Sequence, residues 1–392
     1  MRVKINQKVL EKALAHSNWI IEKKQAIPVL GYIRFEATNG SEYGSVIKIT
    51  ATNMDMTIVD TIRCEVEETG SYCLPASLLY DITRKIRIGS EIIITSSDEE
   101  NIIKIQSNKA SFSIHYIESD KFPPITDAKY DVSFDIKRTT FYQSLDIAKV
   151  AMLQDNSRFH LNGVHVHYEN ELDKLKLRFV ATDLFRISCI SAIAPSAVVN
   201  MPSIIISKRA VGEMLKLMDG SSDENVAINV SDTRISLKLT STENIVTEYT
   251  ARLINGTFPE YKVAIEVPNN KVLIVNTAEL IEAIERVSTV VIDSTNSIKL
   301  NISKETLVLS GISRELGSAV EELTVTFDAE EPLEICFNGR YLLEILKEIK
   351  TDDVKIMLNN SNSSAIIKPM EKDNDIGIEV VFALMPIEIV NS

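Results

Sequence analysis

Apolar positions along this chain switch period in a repeating order. "NQKVLEKALAHSNWII" from Asn6, "KRTTFYQSLDIAKVAM" from Lys137 and "NTAELIEAIERVSTVV" from Asn276 space their apolar residues three and four apart, which predicts amphipathic helices. A second set follows in "PASLLYDITRKI" from Pro75, "SKRAVGEMLKLM" from Ser207 and "NGRYLLEILKEI" from Asn338. Each of these opens on a residue suited to a helix start. Alternating or β-branched runs lie between the helices ("SVIKITAT", "KLRFVAT", "TLVLSGI") and after the second of each pair ("EIIITSS", "NVAINVS", "DVKIMLN"), and they predict strands. The order helix, strands, helix, strands recurs about every 130 residues. It predicts three tandem similar domains at 1–127, 128–262 and 263–392, near the common domain size. "FPPI" at 122–125, "FPEY" at 258–261 and "LMPI" at 384–387 stand near the ends of these units, where Pro stops a strand and stiffens a junction.

Helices apolar on one face only should pack together on one side of each sheet, leaving the other side solvated. Alternating strands belong mainly to antiparallel sheets, so the expected class is α+β. The repeat also aligns "TATNMDMTI" at 50–58 with "VATDLFRIS" at 180–188, while the third unit has Ser310-Gly311 at the related place. Asp183 and Arg186, three apart, admit an acid-base pair in a hydrolase or transferase. The recurrence of the turn admits instead a capping or salt-bridging role for Asp183.

With 45% hydrophobic and 25% charged residues, the chain should fold in water. Its first residues resemble no signal peptide, and its most apolar stretch, "VVFALMPIEIV" at 380–390, is shorter than the roughly 20 residues of a membrane span. A cytoplasmic location is expected. Cys64, Cys73, Cys189 and Cys336 are scattered without a CxxC pair, so neither a zinc site nor a disulfide framework is indicated. His165 and His167 share a strand face but lack a third ligand nearby in sequence, and no metal is expected there. No Walker loop, GxSxG or HExxH occurs, so no cofactor is implied.

A net charge of −13 ordinarily argues against nucleic acid as a partner. Its distribution softens that argument. The helical windows 6–24, 75–87, 137–149, 207–218, 276–291 and 338–350 hold 17 Lys and Arg against 10 Asp and Glu, and the remainder holds 25 against 45. Charges beyond about 8 Å are largely screened at physiological salt, so positive helices on an acidic protein can face a polyanion. The window from Asn276 opposes the trend, with Glu279, Glu282 and Glu285 against Arg286.

"IPVLGYIRFEA" at 27–37, "RFHLNGVHV" at 158–166, "VATDLFRIS", "FPEY", "FNGRYLLEIL" at 337–346 and "MPI" at 385–387, in this order and on this repeat, resemble the bacterial DNA polymerase III β subunits, the sliding clamps. The resemblance runs the length of the chain. It implies a DNA clamp fold: a ring-forming head-to-tail homodimer around double-stranded DNA, with helices lining the hole. It implies a non-catalytic processivity factor whose partners are the replicative polymerase, the clamp loader and other clamp-motif proteins. A cleft taking peptides by their Leu and Phe anchors would be formed by Leu161, Thr182, Leu184, Phe185, Arg186, Ile187, Pro259, Val263, Tyr341, Ser364, Met385, Pro386 and Ile387. Lys24, Gln154, Arg158, Phe159 and His160 would face DNA. Three departures stand out: Phe159-His160 where the family often has a Tyr pair, Leu184-Phe185 in place of Gly-His, and Glu388 in place of the Arg of a common Met-Pro-Met-Arg-Leu ending. For assembly, an edge strand at 111–116, with Phe112 and Ile114, is expected to continue a third-unit sheet near Thr289, Val290 and Ile292 of a second copy.

Overall fold

In the computed structural model, residues 1–22, 27–97, 101–125, 129–155, 157–171, 174–291, 295–370 and 377–388 are described. Lys24 and Ile292 therefore lie outside the described residues. The helices are α1 (Gln7–Ile20), α2 (Ala76–Lys85), α3 (Arg138–Ala148), α4 (Lys208–Asp219), α5 (Lys262–Ile265), α6 (Thr277–Ser288) and α7 (Gly339–Glu348). Six coincide with the six predicted from periodicity. Asn6, Asn276 and Asn338 cap α1, α6 and α7, their side-chain oxygens accepting from Lys8, Glu279 and Tyr341 amides at 3.0–3.1 Å. Such caps satisfy amides that the first turn leaves unpaired.

The chain forms two compact units. One comprises Met1–Arg138, Ala197–Pro202 and Arg209–Leu253; the other comprises Thr139–Ser196, Ser203–Lys208 and Ile254–Ser392. The first holds a nine-stranded antiparallel sheet in the order Ile117–Glu118, Gly70–Pro75, Tyr32–Ser41, Gly44–Thr52, Met56–Arg63, Val246–Arg252, Arg234–Thr240, Asn225–Val230, Val132–Lys137. It also holds a five-stranded sheet, Glu65–Glu68, Arg2–Asn6, Glu91–Ser97, Ile102–Ser107, Ala110–His115. The second unit repeats the plan. Its nine-stranded sheet runs Ile204–Ser207, Gly163–Glu171, Lys174–Thr182, Arg186–Ile193, Ile378–Leu384, Ala365–Pro369, Asp353–Leu358, Lys271–Asn276, Thr326–Phe327, and its smaller sheet runs Gly317–Thr324, Thr306–Ser313, Ser297–Ile302, Leu333–Asn338.

Each nine-stranded sheet is a joint between two repeats. Met56–Arg63 pairs with Val246–Arg252, Met56 opposite Ala251, and Arg186–Ile193 pairs with Ile378–Leu384, Arg186 opposite Leu384. Ser310 and Gly311 of the third repeat lie inside a strand, not in a turn. A Cβ at Gly311 would come within 2.4 Å of Val291, so the strand packs there only as glycine.

Three sequence expectations need correction. First, one side of the second unit's large sheet is covered rather than solvated. Val180, Ile187, Cys189, Ile366 and Ala383 form a core with Tyr261, and Phe258, Ala264, Ile265 and Val267 pack against it. The reason is visible in "RISCISAI", whose residues 186–192 are all buried, so an alternating pattern is absent where two repeats join. Second, within the six observed helices that match the predicted ones 11 Lys and Arg stand against 10 Asp and Glu, so the positive excess nearly vanishes. It belongs to the flanks: α1 ends at Ile20, and Arg87, Lys137, Lys149 and Lys350 all fall outside α-helix. Third, Thr289 is the C-cap of α6 and Val290 follows it in a bend, so neither offers a strand edge. The edges of the second unit's smaller sheet are Gly317–Thr324 and Leu333–Asn338.

Candidate functional site

The turn between Lys174–Thr182 and Arg186–Ile193 organises one end of the second unit's sheet. Asp183 Oδ1 accepts from the Phe185 and Arg186 amides, each at 3.0 Å, and Thr182 Oγ1 donates to the Arg186 carbonyl at 2.8 Å while accepting from the Leu184 amide at 3.0 Å. This closed turn holds Leu184 at φ 77°, a left-handed conformation that an L-leucine adopts only when neighbours enforce it. Leu184 and Phe185 project outward, Phe185 with 60% of its surface exposed.

Arg186 points the other way. Its Nε donates to Asp183 Oδ2 at 3.0 Å, Nη1 lies 2.7 Å from Glu344 Oε2, and the guanidinium sits 4.3 Å from the Tyr341 ring centre. A buried arginine between two carboxylates and over a tyrosine face has its charge compensated on each side. Burial pushes the Glu344 carboxyl up, but bonds from Arg340 and Arg186 outweigh it and hold the group below the usual range. Burial raises the Tyr341 phenol, and Asp183 adds to the shift. Asp183 thus spends its lone pairs on the turn and on Arg186. The acid-base reading of this pair is corrected: it is a scaffold.

On that scaffold stands an apolar surface. The Phe185 ring stacks on Tyr341, centroids 6.4 Å apart, and the Met385 amide donates to the Phe185 carbonyl at 2.8 Å. The Ile387 amide donates to Cys336 O at 2.8 Å, so Met385-Pro386-Ile387 is tied at both ends. Ser364 Oγ donates to Ala264 O at 3.2 Å, linking the sheet to the segment carrying Pro259 and Val263, the latter 75% exposed. Thr182, Leu184 to Ile187, Tyr341, Ser364 and Met385 to Ile387 are therefore joined through bonds and packing. Leu161 is wholly buried, its backbone bonded to Leu153 and Arg158, and no described contact brings it to this surface; Ile187 is core as well. Glu344 escaped sequence reasoning, although its place four residues after Arg340 on α7 was a usable signal.

Gln154, Arg158, Phe159 and His160 share one loop, closed by Asn162 Nδ2 donating to Leu153 O and Asp155 O at 3.0 and 3.2 Å. Phe159 and His160 meet edge to face with centroids 5.7 Å apart, and Lys208 donates to Gln154 Oε1.

Paired nine-stranded sheets on a threefold repeat, with helices against them, define a three-domain DNA clamp fold. Residues 1–126, 135–260 and 265–382 match the N-terminal, central and C-terminal domains of the DNA polymerase III beta subunit. The chain belongs to the DNA polymerase III beta subunit family. The beta sliding clamp of Caulobacter vibrioides is 28% identical over 390 residues, covering 99% of this chain and 100% of that one. A sliding clamp from Bartonella birtlesii bound to griselimycin is 32% identical, with TM-score 0.90 over 99% of this chain and 100% of that chain. The Caulobacter crescentus clamp, with polyethylene glycol bound to a putative beta-motif tethering region, is 28% identical with TM-score 0.90 over 99% of both chains. The family and its structures support a sliding clamp; a hydrolase or transferase has no support among them.

Proposed function

We propose that two copies of this chain close head to tail into a ring around duplex DNA, acting as a non-catalytic tether for the replicative polymerase in the cytoplasm. One observation carries the reading. In both large sheets the last strand of one repeat pairs with the hairpin of the repeat before it. By position in the repeat, two strands are left over: Ala110–His115 and Gly317–Thr324 each pair on one side only among the described residues. Joining them between copies supplies the missing third joint and covers both of these edges. Ile312, Leu316 and Val320, exposed on the hairpin of that second edge, gain cover in such an assembly. Ile114 is buried in its own core, so Ala110–His115 contributes backbone and the half-buried Phe112. The domain limits 1–127, 128–262 and 263–392 belong to this reading and accord with the three matched segments.

A ring needs only weak contacts with phosphates, because linkage replaces affinity and tight contacts hinder sliding. The loop carrying Gln154, Arg158, Phe159 and His160, together with Lys24, is assigned to DNA. The surface of Leu184, Phe185, Tyr341, Val263 and Met385 is assigned to the Leu and Phe anchors of partner peptides, since buried apolar anchors supply most of the energy in such grooves. The test is topological. Protein loaded on nicked circular DNA with a clamp loader is expected to stay, and to run off once the circle is cut. Equal retention on circle and line would reject the ring.

A further inference from the structure

The segment Phe258–Val267 forms one wall of the candidate cleft, carrying Pro259 and Val263, and it lies on the covered face of the second unit's sheet. Its later half rests on the apolar core around Ile187, Ile366 and Ala383. Its first half rests on two histidines. The His165 ring stacks on Phe258, centroids 4.6 Å apart and 6° from parallel, and His167 Nε2 lies 3.3 Å from the Tyr261 hydroxyl. The two imidazoles lie with ring centroids 4.8 Å apart, and the Nδ1 atom of each is buried with no hydrogen-bond partner among the described residues. A protonated imidazole needs partners for both N–H groups, and two cations this close repel. The site is built for two neutral rings.

We propose that His165 and His167 are a proton-sensitive latch that positions this wall of the cleft: neutral, they seat the segment; protonated, they release it. The inference rests on reading the cleft as a peptide site. Around His165 stand His167 on its own strand, Ser203, 3.3 Å from Nε2, and the Ile204 backbone; around His167 stand Glu169, Arg178 and, from the segment itself, Glu260, Tyr261 and Lys262. Cys189 lies beyond Arg178, its sulfur 3.7 Å from Nη1. Glu169 does not serve as a free counter-ion, because it is paired with both Arg178 and Lys262. Burial, reinforced by His167, pushes the His165 imidazole down to about 4, and burial likewise lowers His167. Both shifts have one sign. The seated state is favoured above the ordinary histidine range and loses its advantage as pH falls from about 6.5 toward the seated values.

The test is hydrogen exchange at the Ala264 and Glu266 amides, which donate to Tyr261 O and Lys262 O at 3.0 and 2.9 Å, corrected for intrinsic rates and read against amides of Lys174–Thr182. Once lifted, each histidine regains a pKa near 6.5, so between pH 7.5 and pH 5.5 opening should strengthen about tenfold through His165, and further in the same direction through His167. That gives a loss of protection of more than about tenfold in the wild type, a smaller loss in His165→Phe, which keeps the stack and the Tyr261 contact, and none in His165→Phe/His167→Phe. Equal pH dependence in all three proteins, or a loss shared by the strand amides, would overturn the latch. A parallel titration with a fluorescein-labelled synthetic peptide bearing a Leu-Phe pair separates the two ideas. If the segment loosens in acid and any fall in affinity is largest in the wild type and absent in His165→Phe/His167→Phe, both stand; if it loosens and the peptide does not bind even at pH 7.5, the latch stands and the cleft reading fails.

Discussion

The turns at 52–56 and 182–186 are the same object built twice. Thr52 and Thr182 each donate to the carbonyl four residues on, at 2.9 and 2.8 Å, and each accepts from the amide two residues on. Asn53 and Asp183 each accept from the next two amides but one, and Met54 and Leu184 stand at φ 78° and 77°. Even the strand beyond is joined alike, Arg252 N donating to Asp55 O and Met385 N to Phe185 O, both at 2.8 Å. What differs is what the turn presents. In the first copy Asp55 is exposed and Met56 is core; in the second Phe185 is exposed and Arg186 is locked over Tyr341. Backbone geometry was kept while two side chains were given to a different task.

The comparison breaks most sharply at its caps. Asp183→Ala leaves the buried Arg186 with one carboxylate and opens the turn, and should cost about 2–4 kcal/mol in denaturant unfolding. Asn53→Ala removes only neutral hydrogen bonds and should cost about 1 kcal/mol. Next in size is the exposed ring. Phe185→Ala should weaken a Leu-Phe peptide by about tenfold or more in a fluorescence titration while stability stays within about 0.5 kcal/mol. Asp55→Ala should change neither. Converting one turn toward the other sharpens the point: Asp183→Asn with Arg186→Met removes both buried charges together and should stay within about 1.5 kcal/mol of wild type, against the larger loss from Asp183→Ala alone. Smallest are Leu184→Gly and Met54→Gly, each relieving a left-handed residue. Each should be neutral to about 1 kcal/mol stabilising by thermal melting, and only the first should lower peptide affinity.

Much of this was legible in the chain. Six helices and the strands between them follow from periods of 3.6 and 2, and the repeat identified "ATN" and "ATD" as one turn. The resemblance then drew attention to Leu184-Phe185-Arg186-Ile187. What stayed hidden depends on partners distant in sequence. Arg186 faces Leu384 across a strand pair, Glu344 reaches it from α7, and the second side of the sheet is covered by residues 258–267. No local period encodes such pairings. The helical charge was hidden for a related reason: a lysine just past a helix end and one inside it look alike in a window, and only the observed ends separate them.

The most direct test of the central claim, that a duplicated scaffold carries a binding surface in one copy only, is a hydrogen-exchange footprint of the intact protein with and without the Leu-Phe peptide. Slowed exchange is predicted at the amides of Leu184, Phe185 and Met385, with Met54, Asp55 and Arg252 unchanged. Equal slowing at both turns, or slowing at 54–55 alone, would contradict it.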